Sequence, residues 1–315
     1  MTEPMLEPVD EVEVLTVMDN SLDILMAGSP VAQRAKLKTD ALSLPQLRAE
    51  HGVSMLVTVR SGGHEDSFLF DTGVSADGAL HNMDVLEVRP NQLHAVVLSH
   101  GHTDHTNGLS GMMQRYGRAR LPVMLHPEAF LERKVVFPDG QEIGFPAPNR
   151  RDLEAEGVEV VEAKGHTLLV DRHALISGQI PRVTSFEQGM PVNQAQIDGQ
   201  WQPDPWIHDD QAIIIHVRGK GLVILTGCGH AGVINTLLYA RTLTGVNEIY
   251  ALIGGFHLTG ALFEPIIPPT IQALREFSPK VMVPQHCTGW RATHEIAREF
   301  PDAFIASSVG TRYAL

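Results

Sequence analysis

VVLSHGHTDHTNGL, residues 96–109, places four side chains that bind metals or protons within six positions, directly after an apolar run. They are His100, His102, Asp104 and His105. Residues i and i+2 of an extended strand point the same way, so His100 and His102 are predicted to hold one ion. Asp104 and His105 come where the chain turns into a helix and are predicted to hold a second ion. Imidazole and carboxylate together favour zinc, with manganese or iron as alternatives, over calcium or magnesium.

The composition argues against several classes of partner. The chain has 315 residues, 43% of them hydrophobic, and no apolar run approaches the ~18 residues of a membrane span. Its formal charge of −13 argues against nucleic acid, which requires clustered Lys and Arg. The acidic start (residues 1–14) is unlike a signal peptide, and two cysteines, Cys228 and Cys287, suit a reducing compartment. We therefore expect a cytoplasmic protein with a small-molecule substrate and no nucleic-acid or membrane partner; the sequence carries no signal for an oligomeric state.

The order of predicted elements indicates the fold class. Strands dominate the first third of the chain, and strands alternate with helices in the last third. This pattern predicts a single α/β domain, residues 1–315, an αββα sandwich of two mixed β-sheets with helices outside. Between these parts, about residues 126–210, the pattern is irregular and rich in proline. This segment is predicted to be an insertion that covers the active site; the alternative is a spacer with no role.

Four more candidate residues each follow a predicted strand: Cys228, His230, His257 and His286. The ends of neighbouring strands meet at one sheet edge, which is where α/β proteins build their sites. We therefore expect these residues to share one pocket with the His100–His105 cluster.

These residues carry a resemblance to a known family. SHGHTDH (99–105) resembles the H-x-H-x-D-H signature of the metallo-β-lactamase superfamily, and FLFDTG (68–73) resembles the strand that precedes it. Other segments are similar to the subgroup named for 7,8-dihydropterin-6-methyl-4-(β-D-ribofuranosyl)aminobenzene-5′-phosphate synthase: TVMDNS (16–21), LRAEHGVSMLV (47–57), LTGCGHAGVIN (225–235), GGFHL (254–258) and PQHCTG (284–289). The resemblance covers nearly the whole chain and is weakest over the insertion.

The resemblance implies a set of metal ligands. Those that match the family pattern position by position are His100, His102, Asp104, His105 and His286. It also implies that Asp71 supports a metal-binding histidine. The family's usual third histidine, in a G-H-T-x-G-H-type turn, has no counterpart before residue 211, and His230 is the replacement candidate. The family's bridging aspartate falls on Cys228, which either bridges two ions as a thiolate or is a bystander.

Four residues are predicted to contact the substrate. His257 is a candidate proton donor or substrate-binding group. Asn20, Glu50 and His51 lie in turns of the matching segments and are candidates for the wall of the pocket. Turn and capping interactions are the alternative explanation for these three.

The expected activity is hydrolysis of an ester, phosphoester or lactone-like bond with two divalent metal ions. Asp104 would accept a proton from water, and His257 would protonate the leaving group. One alternative is a transferase that joins a dihydropterin diphosphate to an aminobenzene ribose phosphate and releases diphosphate, so that the substrate is phosphorylated or pterin-like. Another alternative is a metal-bearing sensor of a small molecule. A di-iron redox role would call for a flavin domain, for which 315 residues leave no room.

Overall fold

The computed structural model describes residues 6–35, 46–88, 93–116 and 121–315; residues 1–5 of the acidic start lie outside this part. Its strands are β1 (Glu11–Met18), β2 (Ala32–Gln33), β3 (Ser54–Ser61), β4 (His64–Phe70), β5 (Leu93–Val97), β6 (Val123–Leu125), β7 (Arg133–Val136), β8 (Glu142–Phe145), β9 (Val160–Glu162), β10 (Thr167–Leu169), β11 (Ala174–Ile176), β12 (Asn193–Ile197), β13 (Gln200–Pro203), β14 (Ala212–Val217), β15 (Gly221–Thr226), β16 (Ile249–Gly255), β17 (Val281–Gln285) and β18 (Arg312–Ala314). Its α-helices are α1 (Gly78–Val85), α2 (Thr103–Thr106), α3 (Leu109–Tyr116), α4 (Arg150–Ala155), α5 (Val233–Thr244), α6 (Ile267–Phe277) and α7 (Trp290–Glu299). Among the described residues, no helix combines the length and the apolarity that a membrane crossing requires.

Two mixed sheets pack face to face. One has the strand order β2-β18-β1-β3-β4-β5-β6-β9, and the other has the order β10-β11-β14-β15-β16-β17. Apolar side chains from both sheets fill the layer between them. Helices α5, α6 and α7 cover the outer face of the six-stranded sheet, and α1, α3 and α4 cover the outer face of the eight-stranded sheet. The predicted αββα sandwich is confirmed.

Strand β15 shows why this arrangement follows from the sequence. All six of its residues are buried. Val223 and Leu225 face the layer between the sheets, whereas Leu222 and Ile224 pack under the helices. Because successive side chains of a strand point to opposite faces, a strand covered on both faces needs a continuous apolar run. The run GLVILT (221–226) meets that requirement.

The carboxyl ends of the parallel strands in both sheets bring the candidate metal-binding and catalytic residues close together. Strands β15, β16 and β17 are parallel, and so are β4, β5 and β6. Several candidate residues come shortly after the carboxyl ends of these strands: Asp71 after β4, His100 after β5, Cys228 after β15, His257 after β16 and His286 after β17. The sheet edges therefore carry the candidate site, as the sequence indicated.

Residues 126–210 are more regular than the irregular insertion predicted. Strand β9 joins the eight-stranded sheet, and β10 and β11 join the six-stranded sheet. Strands β7, β8, β12 and β13 form a separate antiparallel sheet in the order β13-β12-β7-β8. These strands are short and partly solvent-exposed, and all of β13 is exposed. Such strands lack the apolar alternation by which strands are recognised in a sequence.

Candidate metal centre

Candidate ligands from three parts of the chain, residues 100–105, 228–230 and 286, converge into two adjacent groups that share the thiol of Cys228. The first group is His100, Cys228 and His230. The second group is Asp104, His105, Cys228 and His286. Within each group the candidate donor atoms lie within 4.8 Å of one another. His102 adjoins the first group, with its Nδ1 3.2 Å from Nε2 of His230. The structure thus brings together every residue for which a metal-binding role was predicted.

The histidines of the first group, and His102 beside it, are neutral and buried. Burial, and next the neighbouring histidines, hold the pKa of His100 and of His230 well below the usual range. Burial and the charge of Arg133 lower the pKa of His102 to about 3. Nε2 of His100 is buried and has no hydrogen-bond partner. A buried polar atom without a partner costs free energy, and neutral imidazole is the form that binds a cation, so this donor set fits a metal ion.

The second group combines imidazoles with a carboxylate. Nδ1 of His105 lies 2.6 Å from Oδ2 of Asp71, and its Nε2 lies 3.2 Å from Sγ of Cys228. Burial opposes charge on His105, but the carboxylates of Asp104 and Asp71 raise its pKa to about 9. Burial likewise favours a neutral Asp104, but His105 and His286 hold its pKa well below the usual range. In the metal-free protein, His105 therefore carries a proton where a cation would bind.

Asp71 links the two groups through Ser99. Oδ1 of Asp71 accepts the Ser99 N–H at 2.6 Å, and Oδ2 accepts the Ser99 hydroxyl at 2.7 Å. The same hydroxyl lies 2.9 Å from Nδ1 of His100. One buried carboxylate thus orients His105 directly and His100 through Ser99, which fixes the ring nitrogen that each presents to the centre. In its contact with His105, Asp71 is placed as the resemblance implied, beside a candidate metal-binding histidine. The role of Ser99 was not predicted, because no sequence pattern distinguishes this serine from other serines.

The loop after β1 holds His286. Oδ1 of Asp19 accepts the backbone N–H of His286 at 2.9 Å, and Oδ1 of Asn20 lies 3.0 Å from its Nδ1. Asn20 Nδ2 in turn lies 3.2 Å from Nδ1 of His51, whose Nε2 lies 3.6 Å from Oδ2 of Asp104. Two of the predicted pocket residues, Asn20 and His51, therefore lie at this centre. Asp19, which the sequence analysis missed, positions the backbone of His286.

Glu50, the third predicted pocket residue, makes different contacts. Its carboxylate oxygens accept the hydroxyl of Ser75 at 2.7 and 2.9 Å. The Ser75 hydroxyl accepts the N–H of Gly78, at the first residue of α1. These contacts favour the turn and capping explanation for Glu50.

His257 lies beside the first group. Its ring centroid is 4.2 Å from that of His230 and 4.4 Å from that of Phe263. Its Nδ1 is buried and has no hydrogen-bond partner. His257 also forms a third candidate donor group with Cys228 and Cys287. The sequence analysis gave Cys287 no role in the site, because no motif marks it apart from its neighbour His286.

The separate four-stranded sheet and the segment that follows it contact residues 100–105, called the histidine loop below. Oδ2 of Asp209 accepts the N–H of Gly101 at 2.8 Å, and its Oδ1 lies 2.7 Å from Nη2 of Arg133 on β7. Nε of Arg133 donates to Oδ2 of Asp204 at 2.8 Å, and Arg133 is only 1% exposed. Phe145 of β8 stacks on His102 with ring centroids 4.9 Å apart. The backbone between His100 and His102 is therefore fixed by residues of the predicted insertion.

A buried cluster of histidines, an aspartate and a cysteine at the edge of an αββα sandwich defines a metallo-β-lactamase-type fold and site. The model of the metallo-beta-lactamase superfamily matches residues 47–243, so the chain belongs to that superfamily. This confirms the family that the sequence analysis identified.

Relatives extend this similarity over most of the chain. The 7,8-dihydropterin-6-methyl-4-(beta-D-ribofuranosyl)-aminobenzene-5′-phosphate synthase of Methanocaldococcus jannaschii is 31% identical over 268 residues, which are 81% of this chain and 87% of that protein. The structure of Tm1679, a metal-dependent hydrolase of the beta-lactamase superfamily, matches with a TM-score of 0.72 and 25% identity, over 96% of this chain and 98% of its own. YhfI of Bacillus subtilis, at 14% identity and a TM-score of 0.50 over 97% and 100% of the two chains, shares the fold.

Replacement of Asp71 with asparagine is expected to weaken metal binding 10- to 100-fold, the usual loss when a ligand's supporting carboxylate is removed. The amide has one acceptor oxygen in place of two, so it cannot keep every contact that Asp71 now makes with His105 and Ser99. Chelator competition on purified protein measures the change. The control is Asp66→Asn on β4, the strand that precedes Asp71, because Asp66 pairs with the exposed His94 at 2.8 Å. Equal affinities of the two variants would contradict this role.

Metal affinity is expected to depend on pH through His105. The cation must displace a proton from a group whose pKa is raised to about 9, so His105 alone weakens binding about tenfold for each pH unit below 9. Above pH 9 that competition ends. Chelator competition from pH 7 to 10 should therefore show the slope of log affinity against pH falling by one near pH 9. An unchanged slope through pH 9 would contradict the assignment.

Proposed function

We propose that this protein is a metal-dependent hydrolase with a dinuclear site, acting on an ester, phosphoester or lactone-like bond. The observation that carries the proposal is the convergence of two buried donor groups on one shared thiol, that of Cys228. The residues that would hold two divalent cations are His100, His102 and His230 for one, Asp104, His105 and His286 for the other, with Cys228 between them. Cations at these positions would lower the pKa of a water molecule and neutralise the negative charge that develops on the substrate.

The donor set favours zinc among the divalent cations. Thiolate and imidazole ligands suit zinc better than they suit magnesium or calcium, and manganese and iron remain alternatives. We further propose a cytoplasmic location, because both cysteines are free thiols, as a reducing compartment requires.

Asp104 is suited to orienting the attacking water. Its side chain is 15% exposed, so part of it is open to solvent. Its pKa lies well below the usual range, although burial acts in the opposite sense, because His105 and His286 favour the ionised form. The ionised carboxylate is a hydrogen-bond acceptor only. Because its pKa is low, Asp104 is a weak base, and it is better suited to orienting the water by a hydrogen bond than to acting as the general base.

His257 is suited to donate a proton to the leaving group. Its ring lies between His230 and Phe263, so its orientation is fixed, and its buried Nδ1 has no partner within the protein. A leaving oxygen that reaches Nδ1 would receive the proton as its bond to the substrate breaks.

A second candidate function is a transferase reaction, and the similarity to the archaeal synthase favours it. The substrates would then be a dihydropterin diphosphate and an arylamine, and the product released would be diphosphate. The same donor groups would serve to bind the diphosphate of the substrate. The two candidates differ in whether water or the arylamine attacks.

One set of assays separates the candidates. Protein purified without chelator is analysed for metal, with about two equivalents per chain expected, and is then incubated with bis(4-nitrophenyl) phosphate, with lactones, and with a dihydropterin diphosphate. Hydrolysis without an arylamine supports the hydrolase. Release of diphosphate only when the arylamine is present would identify the transferase. Tight binding of a small molecule without turnover of any of these compounds would identify the third alternative, a metal-bearing sensor.

A further inference from the structure

A small cavity opens beside the first donor group. Its volume is about 130 Å³, and His230 and His257 form part of its wall. The rest of the wall is mostly apolar, contributed by the predicted insertion and by residues 256–266: Phe186, Phe256, Leu258, Leu262, Phe263 and Ile266. The cavity therefore adjoins the candidate centre without being built from its ligands alone.

The one carboxylate in the wall is already engaged. Glu187 accepts the N–H groups of Ile234 and Asn235, each at 2.8 Å, and the hydroxyl of Thr184 at 3.0 Å. These contacts satisfy its oxygens at the start of α5. Because Glu187 is used in this way, it gives the cavity no charged group with which to select a cationic or strongly polar ligand.

His230 connects the cavity with the donor groups. It is a member of the first donor group and also a wall of the cavity. His257, with its unpartnered Nδ1, stands beside it. The cavity and the donor group thus share the His230 side chain, so one small substrate can contact both.

We infer that this cavity receives an apolar group of the size of one aromatic ring on the substrate, while the bond that reacts lies at the donor groups. Engineered cavities of about 150 Å³ lined by Leu, Ile and Phe bind benzene. This cavity is similar in size, and the same three residue types form most of the apolar part of its wall. The inference rests on the proposed function, because it specifies the substrate of that same site. The substrate class is an ester, phosphoester or lactone-like compound with a single-ring substituent next to the reacting group.

Paired phosphonates test the inference without catalysis. Phenylphosphonate and methylphosphonate carry the same anionic head and are not hydrolysed. On zinc-loaded protein, calorimetry is expected to show phenylphosphonate binding at least about tenfold more tightly, because its ring leaves water. Equal affinities, or an equal preference for n-hexylphosphonate, would overturn the inference. A phenyl preference in a protein that hydrolyses no ester would contradict the proposed function alone.

Two variants locate the ring. Ile266→Trp, which adds bulk to the wall, is expected to abolish the phenyl preference and to leave methylphosphonate affinity within about twofold. Leu238→Trp on α5 is the matched control, since Leu238 is 37% exposed and does not line the cavity; this variant should keep the preference. If Ile266→Trp does not fold, NMR titration of the metal-free wild type with phenol gives a second measurement: shifts confined to cavity residues support the inference, and shifts elsewhere overturn it.

Discussion

Replacing His102 with alanine is expected to remove about one of two equivalents of metal and to lower hydrolytic activity more than about 100-fold. Loss of a residue that only supports a ligand costs 10- to 100-fold, and loss of a ligand costs more. His102 supplies the third imidazole beside His100 and His230, with its Nδ1 3.2 Å from Nε2 of His230. Its pKa, lowered to about 3 by burial and Arg133, keeps it neutral and available at every ordinary pH. Plasma emission spectrometry and initial rates measure the two effects.

The control for this experiment is His64→Ala. His64 is exposed on β4, at the far end of that strand from Asp71, and belongs to none of the donor groups. This variant should keep both the metal and the rate. A His102→Ala protein that retained both would exclude His102 as a ligand and would leave the first group without its third nitrogen.

Replacing Arg133 with methionine is expected to lower the free energy of unfolding by about 3–5 kcal/mol, the usual cost of removing one partner from a buried ion pair. Arg133 is almost fully buried and bonds to Asp204 and Asp209, so methionine would leave two carboxylates without their cation. Asp209 also accepts the N–H of Gly101, so the histidine loop loses a supporting contact as well. Urea unfolding of the metal-free protein measures the change.

Arg151→Met provides the comparison. Arg151 is exposed on α4, so its replacement is expected to change the free energy of unfolding by less than about 0.5 kcal/mol. A loss below about 1 kcal/mol for Arg133→Met would mean that water reaches the two aspartates in the folded protein.

The sandwich could be predicted because its strands are covered on both faces. Segments such as GLVILT and AIIIHV leave little choice of structure, since their apolar runs are short and bounded by glycine or by polar or charged residues. The small sheet could not be predicted in the same way. Its strands are partly exposed, and its most buried large side chain is Arg133, a residue type expected at the surface.

The site could be predicted as far as its residues carry a pattern. The signature from His100 to His105 is local, and the positions of Cys228, His230 and His286 after strands indicated a common edge. What the sequence could not indicate is which other residues orient these ligands. Ser99 and Asp19 act through single hydrogen bonds to residues that are up to 267 positions away in the chain. Contacts of this kind leave no pattern in the sequence.

The anchoring of His286 by Asp19 and Asn20 has a consequence for biosynthesis. The second donor group draws on the loop after the first strand and on residue 286, so it is complete only after residue 286 has been translated. Before that point, the growing polypeptide contains an incomplete set of candidate ligands: His100, His102, Asp104 and His105. The second ion is therefore expected to bind its full set of ligands only after the strand that precedes His286 has been made.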